Sequence, residues 1–226
     1  MKNFIAKMGA VLLALGTVMS LSGCGEDSGT NANNGNGSNF VADAKMVDSR
    51  DGKTYKTVKI GDKVWMAENL NYQTGESKCY DNKPENCDKY GRLYVWSEAV
   101  TACPDGWHLP NKQELEDLKI MAGQKAGDID KAGTVLKSTT GWNRNEYDGK
   151  SGNGTDGLGF GALPAGSYFS DLDDFHDEGN YALFWSSTEY SSNDAYYLVL
   201  DCSYEGAGVY DYDKSSGFSV RCVKNP

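Results

Sequence analysis

Met46 to Tyr72 reads MVDSRDGKTYKTVKIGDKVWMAENLNY, and this stretch decides the fold class. Asp51-Gly52 and Gly61-Asp62 are turn dipeptides, and apolar and polar residues alternate between them. That spacing predicts short strands in an N-terminal hairpin or meander. Downstream, Cys79 and Cys87 bracket the polar loop YDNKPEN, and Leu93, Trp96 and Val100 are spaced for one face of a short helix ending near Ala102. A second helix is predicted after Pro110, because Asn111 and Glu114 have the spacing of a capping box and Leu115, Leu118, Met121 and Ala122 then fall on one face. That apolar stripe is read as core packing. A short third helix is expected around Val135 and Leu136. The glycine-rich run from Asn145 to Gly161 is no phosphate cradle, since it lacks the Lys and the strand-to-helix context of a P-loop. Short strands are expected around Leu163, Phe184-Trp185, Tyr196 to Leu200 and Phe218 to Val223, with no internal repeat. The fold class is therefore α+β, loop-rich, with two or three short helices on short antiparallel strands.

Upstream, Lys2 and Lys7 precede the apolar run Met8 to Met19, the charged-then-apolar order of a secretory signal and too short to span a bilayer. The run ends in Leu21-Ser22-Gly23-Cys24, which resembles the bacterial lipobox, and residues 1–23 are accordingly expected to be a signal peptide with Cys24 the lipidated first residue. Residues 24–39 continue as GEDSGTNANNGNGSN after Cys24, a tether whose roughly 15 residues reach about 20 Å. Gly25 resembles the pattern that sends lipoproteins to an outer membrane, and Glu26-Asp27 the short acidic signals of surface export. The expected localisation is exported and lipid-anchored to the outer membrane, at the cell surface if that acidic signal operates. Residues 40–226 form the one domain, long enough for its own core.

The chain carries 22 Lys and Arg against 32 Asp and Glu, a net charge of −10 that loss of Lys2 and Lys7 makes more negative. Nucleic acid and anionic lipid surfaces, which require a basic face, are excluded as partners. Glycine (27), tyrosine (14) and tryptophan (5) are abundant, and long apolar helical patterns are absent. Besides Cys24 there are cysteines at 79, 87, 103, 202 and 222, in a protein expected where disulfides persist. None has zinc spacing. Cys79 and Cys87 can close a small ring, leaving Cys103, Cys202 and Cys222 for one further bridge and one spare thiol.

Seven blocks then occur in order: Ile60-Gly-Asp-Lys-Val-Trp-Met-Ala-Glu-Asn-Leu70; Cys79-Tyr-Asp with Tyr90-Gly-Arg-Leu-Tyr94; Trp96 with Ala99; Cys103-Pro-Asp-Gly-Trp-His-Leu-Pro110; Gly159 to Gly166; Phe184-Trp-Ser-Ser-Thr188; and Gly217 to Val223. Together they resemble the Fibrobacter succinogenes major paralogous domain, a family of surface and secreted bacterial proteins. The resemblance implies a fold similar to C-type lectins and to the formylglycine-generating (sulfatase-modifying-factor) family, with Gly106 to Glu114 similar to the helix entry of the latter. By the same resemblance Cys103 pairs with Cys222 and Cys79 with Cys87, so the domain is disulfide-stapled and Cys202 is the unpaired thiol.

Three functional readings follow. The lectin-like fold and the aromatic loops imply a non-catalytic binding or adhesion domain for polysaccharide, because sugar rings stack on aromatic faces and carboxylates bond their hydroxyls. A structural or protein-interaction role, with an envelope protein as partner, is equally compatible with the composition. An enzyme of the formylglycine-generating type is disfavoured, since that chemistry needs a reactive cysteine pair near the C-terminus and Cys222 is used structurally. His108 is read as structural, His176 lies in an acidic loop, and Trp65, Trp96, Trp107, Trp142 and Trp185 are read as core. The ligand-binding candidates are Tyr168, Asp171, Asp173, Asp174, Asp177 and Glu178 in one loop, with Tyr204 and Tyr210 in the segment from Ser203 to Asp213. Phe169, Phe175 and Tyr212 are further surface candidates. The acidic loop matches neither the EF-hand nor the calcium-lectin signatures, so a solvated loop is expected, calcium is kept only as a cation to test, and no cofactor is assigned. Asn replacements at Asp173, Asp174 and Asp177 are expected to cost less than about 0.5 kcal/mol, as at exposed positions.

Overall fold

The structure, a computed structural model, describes residues 44–226; the signal segment, Cys24 and the tether lie outside the described residues. The N-terminal segment forms β1 (Ala44–Val47), β2 (Thr54–Ile60) and β3 (Lys63–Met66), the antiparallel meander that its turn dipeptides predict. Its two turns fall at the predicted dipeptides, where Gly52 and Gly61 take the positive φ that side-chain-bearing residues avoid. The predicted polar loop between Cys79 and Cys87 is instead a single helical turn followed by α1 (Pro84–Tyr90). Pro84 in the first turn, Glu85 beside it and Lys89 in the last turn are ordinary helix signals packed into seven residues.

Next come α2 (Trp96–Ala102), the short β4 (Trp107–His108), α3 (Lys112–Ala126) and α4 (Ala132–Leu136). The capping box of α3 is complete: Glu114 N–H donates to Asn111 Oδ1 (3.0 Å) and Asn111 N–H to Glu114 Oε2 (2.9 Å). Leu115, Leu118 and Ala122 are buried on one face, as the periodicity predicts. Four helices form among the described residues, one more than the two or three expected, the surplus being α1.

The remaining strands are β5 (Ser167–Phe169), β6 (Asp174–His176), β7 (Tyr181–Glu189), β8 (Asp194–Asp201), β9 (Ala207–Asp213) and β10 (Val223–Lys224). They complete three antiparallel sheets, ordered β1-β2-β3-β10-β4, β5-β6 and β7-β8-β9. Leu163 lies in no strand, and most of Phe218 to Val223 is an extended connector making single bridges before β10 begins at Val223. Tyr94 takes Phe218 and Phe184 takes Ser219, so this connector is bonded from two directions.

The sheet β7-β8-β9 is covered on both faces. Alternate residues of β7 and β8 point to opposite sides: Ala182, Phe184, Leu198 and Leu200 join a cluster with α3 and α4, while Leu183, Trp185, Ala195 and Tyr197 join Tyr94, Met66 and Phe218. This explains the near-continuous apolar run of β7. Trp65, Trp142 and Trp185 are buried, and Trp96 and Trp107 pack partly buried against the second cluster. Arg221 is fully buried between the rings of Phe160 and Phe184, donating to Asn69 Oδ1 (2.7 Å) and to the carbonyls of Met66, Phe160 and Gly161. Disulfides join Cys79 to Cys87 and Cys103 to Cys222, the latter tying the end of α2 to the connector, and Cys202 is a buried free thiol.

Candidate ligand-binding surface

The two segments singled out as ligand loops are both more regular than expected. Tyr168 to Glu178 is the β5-β6 hairpin, with Tyr168 opposite Phe175 and Ser167 opposite His176, and Ser203 to Asp213 is a turn leading into β9. The structure places them side by side, with the rings of Phe169 and Tyr212 5.8 Å apart. Burial, and then the carboxylates of Asp171, Asp213 and Asp177, push the Tyr212 phenol above its ordinary pKa, so carboxylates from both segments act on one phenol.

Within the hairpin, Tyr168 is not a surface residue. It is 7% exposed in a cluster with Tyr80, Tyr90, Leu93 and Ala165, because the hairpin folds back on the α1 region. Its hydroxyl donates to Asp173 Oδ1 (2.8 Å), which fixes Asp173 although that carboxylate is 82% exposed. Asp174 accepts from Phe175 N–H (2.8 Å) and stands 3.5 Å from His176 Nε2. Glu178 faces away, accepting from the Tyr90 hydroxyl (2.8 Å) with Lys89 at 3.5 Å. The carboxylates therefore diverge, and among the described residues no three His, Cys, Asp or Glu side chains group to hold a metal ion. Asp177 is also misjudged as freely exposed. It is half-buried with a left-handed φ of 69°, its carbonyl accepts from the N–H groups of Asn180 and Tyr181, and burial raises its carboxyl pKa, with His176 opposing and Asp201 adding. An Asn replacement at Asp173 or Asp177 thus touches a hydrogen-bonded or a partly desolvated group.

In β9 the side chains alternate about the sheet plane. Ala207 and Val209 pack on the α3 side, whereas Gly208, Tyr210 and Tyr212 lie opposite Val199, Tyr197 and Ala195 of β8, on the hairpin side. Tyr210 is 52% exposed because its ring folds back over Gly208: a Cβ at Gly208 would meet Tyr210 Cε2 at 2.3 Å. Tyr204 lies likewise on Gly206, where a Cβ would meet its Cε1 at 2.6 Å, and is 55% exposed. Each ring thus rests against a glycine and stays about half exposed. One row along from Val199 and Gly208, Asp201 pairs with Tyr181 of β7, whose phenol pKa is raised by burial and by the Asp201 and Asp177 carboxylates.

Lys137, just after α4, fixes the turn between β8 and β9. It is 3% exposed and its Nζ donates to the carbonyls of Asp201 (2.9 Å) and Tyr204 (3.0 Å). Cys202 in that turn is held near Asn180 Oδ1 (3.6 Å), and burial raises its thiol pKa, which disfavours the reactive thiolate. His108 is structural: its Nε2 lies 3.1 Å from Glu114 and its Nδ1 2.7 Å from Asn225 Oδ1. Tyr181, Asp201 and Lys137 were missed by sequence reasoning. Only the Gly208-x-Tyr210 spacing, which puts both on one face of a strand, carried a readable signal.

No curated protein and no solved structure matches the chain. The Fibrobacter succinogenes major domain model matches residues 58–224, from the second half of β2 to the end of β10. The two smaller sheets, both disulfides and the surface just described fall within that span, as does the five-stranded sheet apart from β1 and the start of β2, and the chain belongs to the Fibrobacter succinogenes major domain family.

Proposed function

We propose that this protein is a cell-envelope lipoprotein whose domain binds polysaccharide without catalysis. The observation that carries the reading is the juxtaposition of the β5-β6 hairpin with β9, which gathers half-exposed aromatic rings and carboxylates on one surface. Rings offer apolar faces to sugar C–H groups and carboxylates accept from hydroxyls. Helices packed beside short antiparallel sheets, with the chain's last strand bonded to β3 and β4, support a C-type-lectin-like arrangement. Two disulfides suit an oxidising compartment outside the cytoplasm. A non-catalytic role is supported by the cysteines, since Cys222 is bridged and Cys202 is a buried thiol of raised pKa. The anchor is Cys24 at the outer membrane, and Cys24→Ser is expected to release the protein from the membrane fraction and abolish palmitate labelling.

The binding test is capture of the full chain on insoluble polysaccharides, with and without calcium, in parallel with capture on envelope proteins. Retention on a polysaccharide supports the reading; retention on envelope proteins alone supports the structural or protein-interaction alternative. One observation favours that alternative: β9 is the outer strand of its sheet, and an outer strand can accept a partner's strand by backbone hydrogen bonding.

A further inference from the structure

Tyr210 is an exposed ring held in place by what lies under it. In a strand, residues two apart share a face, so Tyr210 and Gly208 both project toward the hairpin side, and the ring lies where the glycine's side chain would be. Next to it on that face is Val199, and one row further along are Asp201 and Tyr181, with the Asp177 carboxylate close enough to act on both Tyr181 and Tyr212. The result is a flat apolar ring beside a group of hydroxyl and carboxylate oxygens. The charge nearby is acidic: Asp171 on the hairpin acts on Tyr212, and Asp211 and Asp213 occupy the other face of β9, within a chain of net charge −10.

We propose that Tyr210 on Gly208 is the stacking subsite for a neutral, equatorially substituted pyranose chain, with Asp201, Tyr181 and Asp177 bonding the sugar's hydroxyls. This rests on the polysaccharide reading above and specifies its class. A pyranose with equatorial substituents presents flat C–H faces that match one open face of a ring, whereas an axial hydroxyl would hold the sugar off it. A uronic-acid or sulfated chain would bring its negative charge against the acidic surface at a Coulomb cost. Gly208 matters because the absence of a Cβ leaves the ring its place against the strand, so that its position is set before the sugar arrives and little side-chain entropy is lost on binding.

The test uses the purified full chain and two soluble probes of equal length, a β-1,4-linked glucose hexasaccharide and a galacturonate hexasaccharide, titrated calorimetrically. The glucose chain is expected to bind and the galacturonate chain at least tenfold more weakly. Tyr210→Ala should weaken glucose-chain binding at least tenfold, Tyr210→Trp should keep it within about threefold, and Gly208→Ala, which keeps the ring but displaces it, should weaken it nearly as much as Tyr210→Ala. Circular dichroism of each variant identifies any that fails to fold, and in that event Tyr210→Phe and Asp201→Asn are compared instead, the first expected to bind and the second to weaken binding. Undiminished binding by Tyr210→Ala would overturn this subsite while leaving the polysaccharide reading in place. Equal binding of the galacturonate chain would overturn the ligand class, and binding of neither probe, together with no retention on any insoluble polysaccharide, would overturn the reading beneath both.

Discussion

Replacing Lys137 by Met removes a buried ammonium while leaving an unbranched apolar stem of similar length beside Trp142, whose ring lies 5.2 Å from Nζ. The ammonium bonds two carbonyls, Asp201 O and Tyr204 O, that define the turn from β8 into β9. Each buried acceptor left without a donor costs roughly 1–3 kcal/mol. Tyr204 is 55% exposed, so water can reach its carbonyl, and Asp201 O keeps the Tyr204 N–H at 3.3 Å, so neither acceptor is fully orphaned and the cost lies at the low end of that range. Against this stands the desolvation of the ammonium, which is the largest influence on Lys137 and lowers its pKa despite the attraction of Asp201, Cys202 and Glu205. The net loss is on the order of 1 kcal/mol, which at a urea dependence of about 2 kcal/mol per molar moves the unfolding midpoint down by roughly 0.5 M. The pH dependence gives a second signature. The folded pKa lies below the unfolded value, so between the two the unfolded chain binds more protons, and the lysine's penalty is full at neutral pH and relieved as pH rises through that window. Lys137→Met should therefore flatten the rise that this residue imposes on stability at alkaline pH. Equilibrium urea unfolding at several pH values measures both effects, and an unchanged midpoint with an unchanged slope would refute the claim that Lys137 holds the turn.

The two disulfides should contribute unequally. In the chain-entropy model the Cys103–Cys222 bridge, with a sequence separation of 119, contributes about 4.9 kcal/mol, and Cys79–Cys87, with a separation of 8, about 2.5 kcal/mol. Double Ser variants compared by chemical unfolding check the order, and a larger loss for the short ring would contradict it. At high pH the buried tyrosines act against the fold. Burial raises Tyr55 to about 12 and Tyr94 well above its ordinary value, so the unfolded chain ionises first and the stability present below about pH 10 is lost as pH climbs toward 12. Tyrosinate absorbance should rise as the unfolding midpoint falls, over the same pH range, and Tyr55→Phe should reduce the loss by roughly 2–3 kcal/mol.

What the sequence disclosed divides by the range of the interaction. The β1-β2-β3 meander and the α3 cap are local: two Gly-containing turn dipeptides and an Asn111-to-Glu114 spacing suffice, and the structure has both. Short α1 was hidden because its few helix signals lie inside a polar run bracketed by two cysteines. β9 was hidden because its apolar residues are only partly covered and one of its hairpin-side positions is a glycine. Tyr168 could not be placed by composition, since its burial depends on the hairpin meeting Tyr80, Tyr90 and Leu93 from a segment some 75–90 residues earlier. Arg221 is the same case inverted. A charged residue reads as surface, yet four acceptors and two ring faces take the place of water around it.

The β9 strand itself separates a protective role from a functional one. Acidic residues on an outer strand are explained by the need to prevent sheets from joining edge to edge, and Asp211 and Asp213 require nothing more. Gly208 is different. A glycine within a strand costs roughly 0.5–1 kcal/mol relative to alanine, and its φ is not positive, so no turn or left-handed backbone demands it. The three nearest atoms that would oppose a Cβ there belong to the Tyr210 ring. That ring is half-exposed, so the core gains little from holding it in that position. A strand shaped for solubility alone would lose nothing by having alanine at 208 and letting Tyr210 swing outward. The present residue instead fixes the orientation of an exposed aromatic face, which matters for what approaches from solvent.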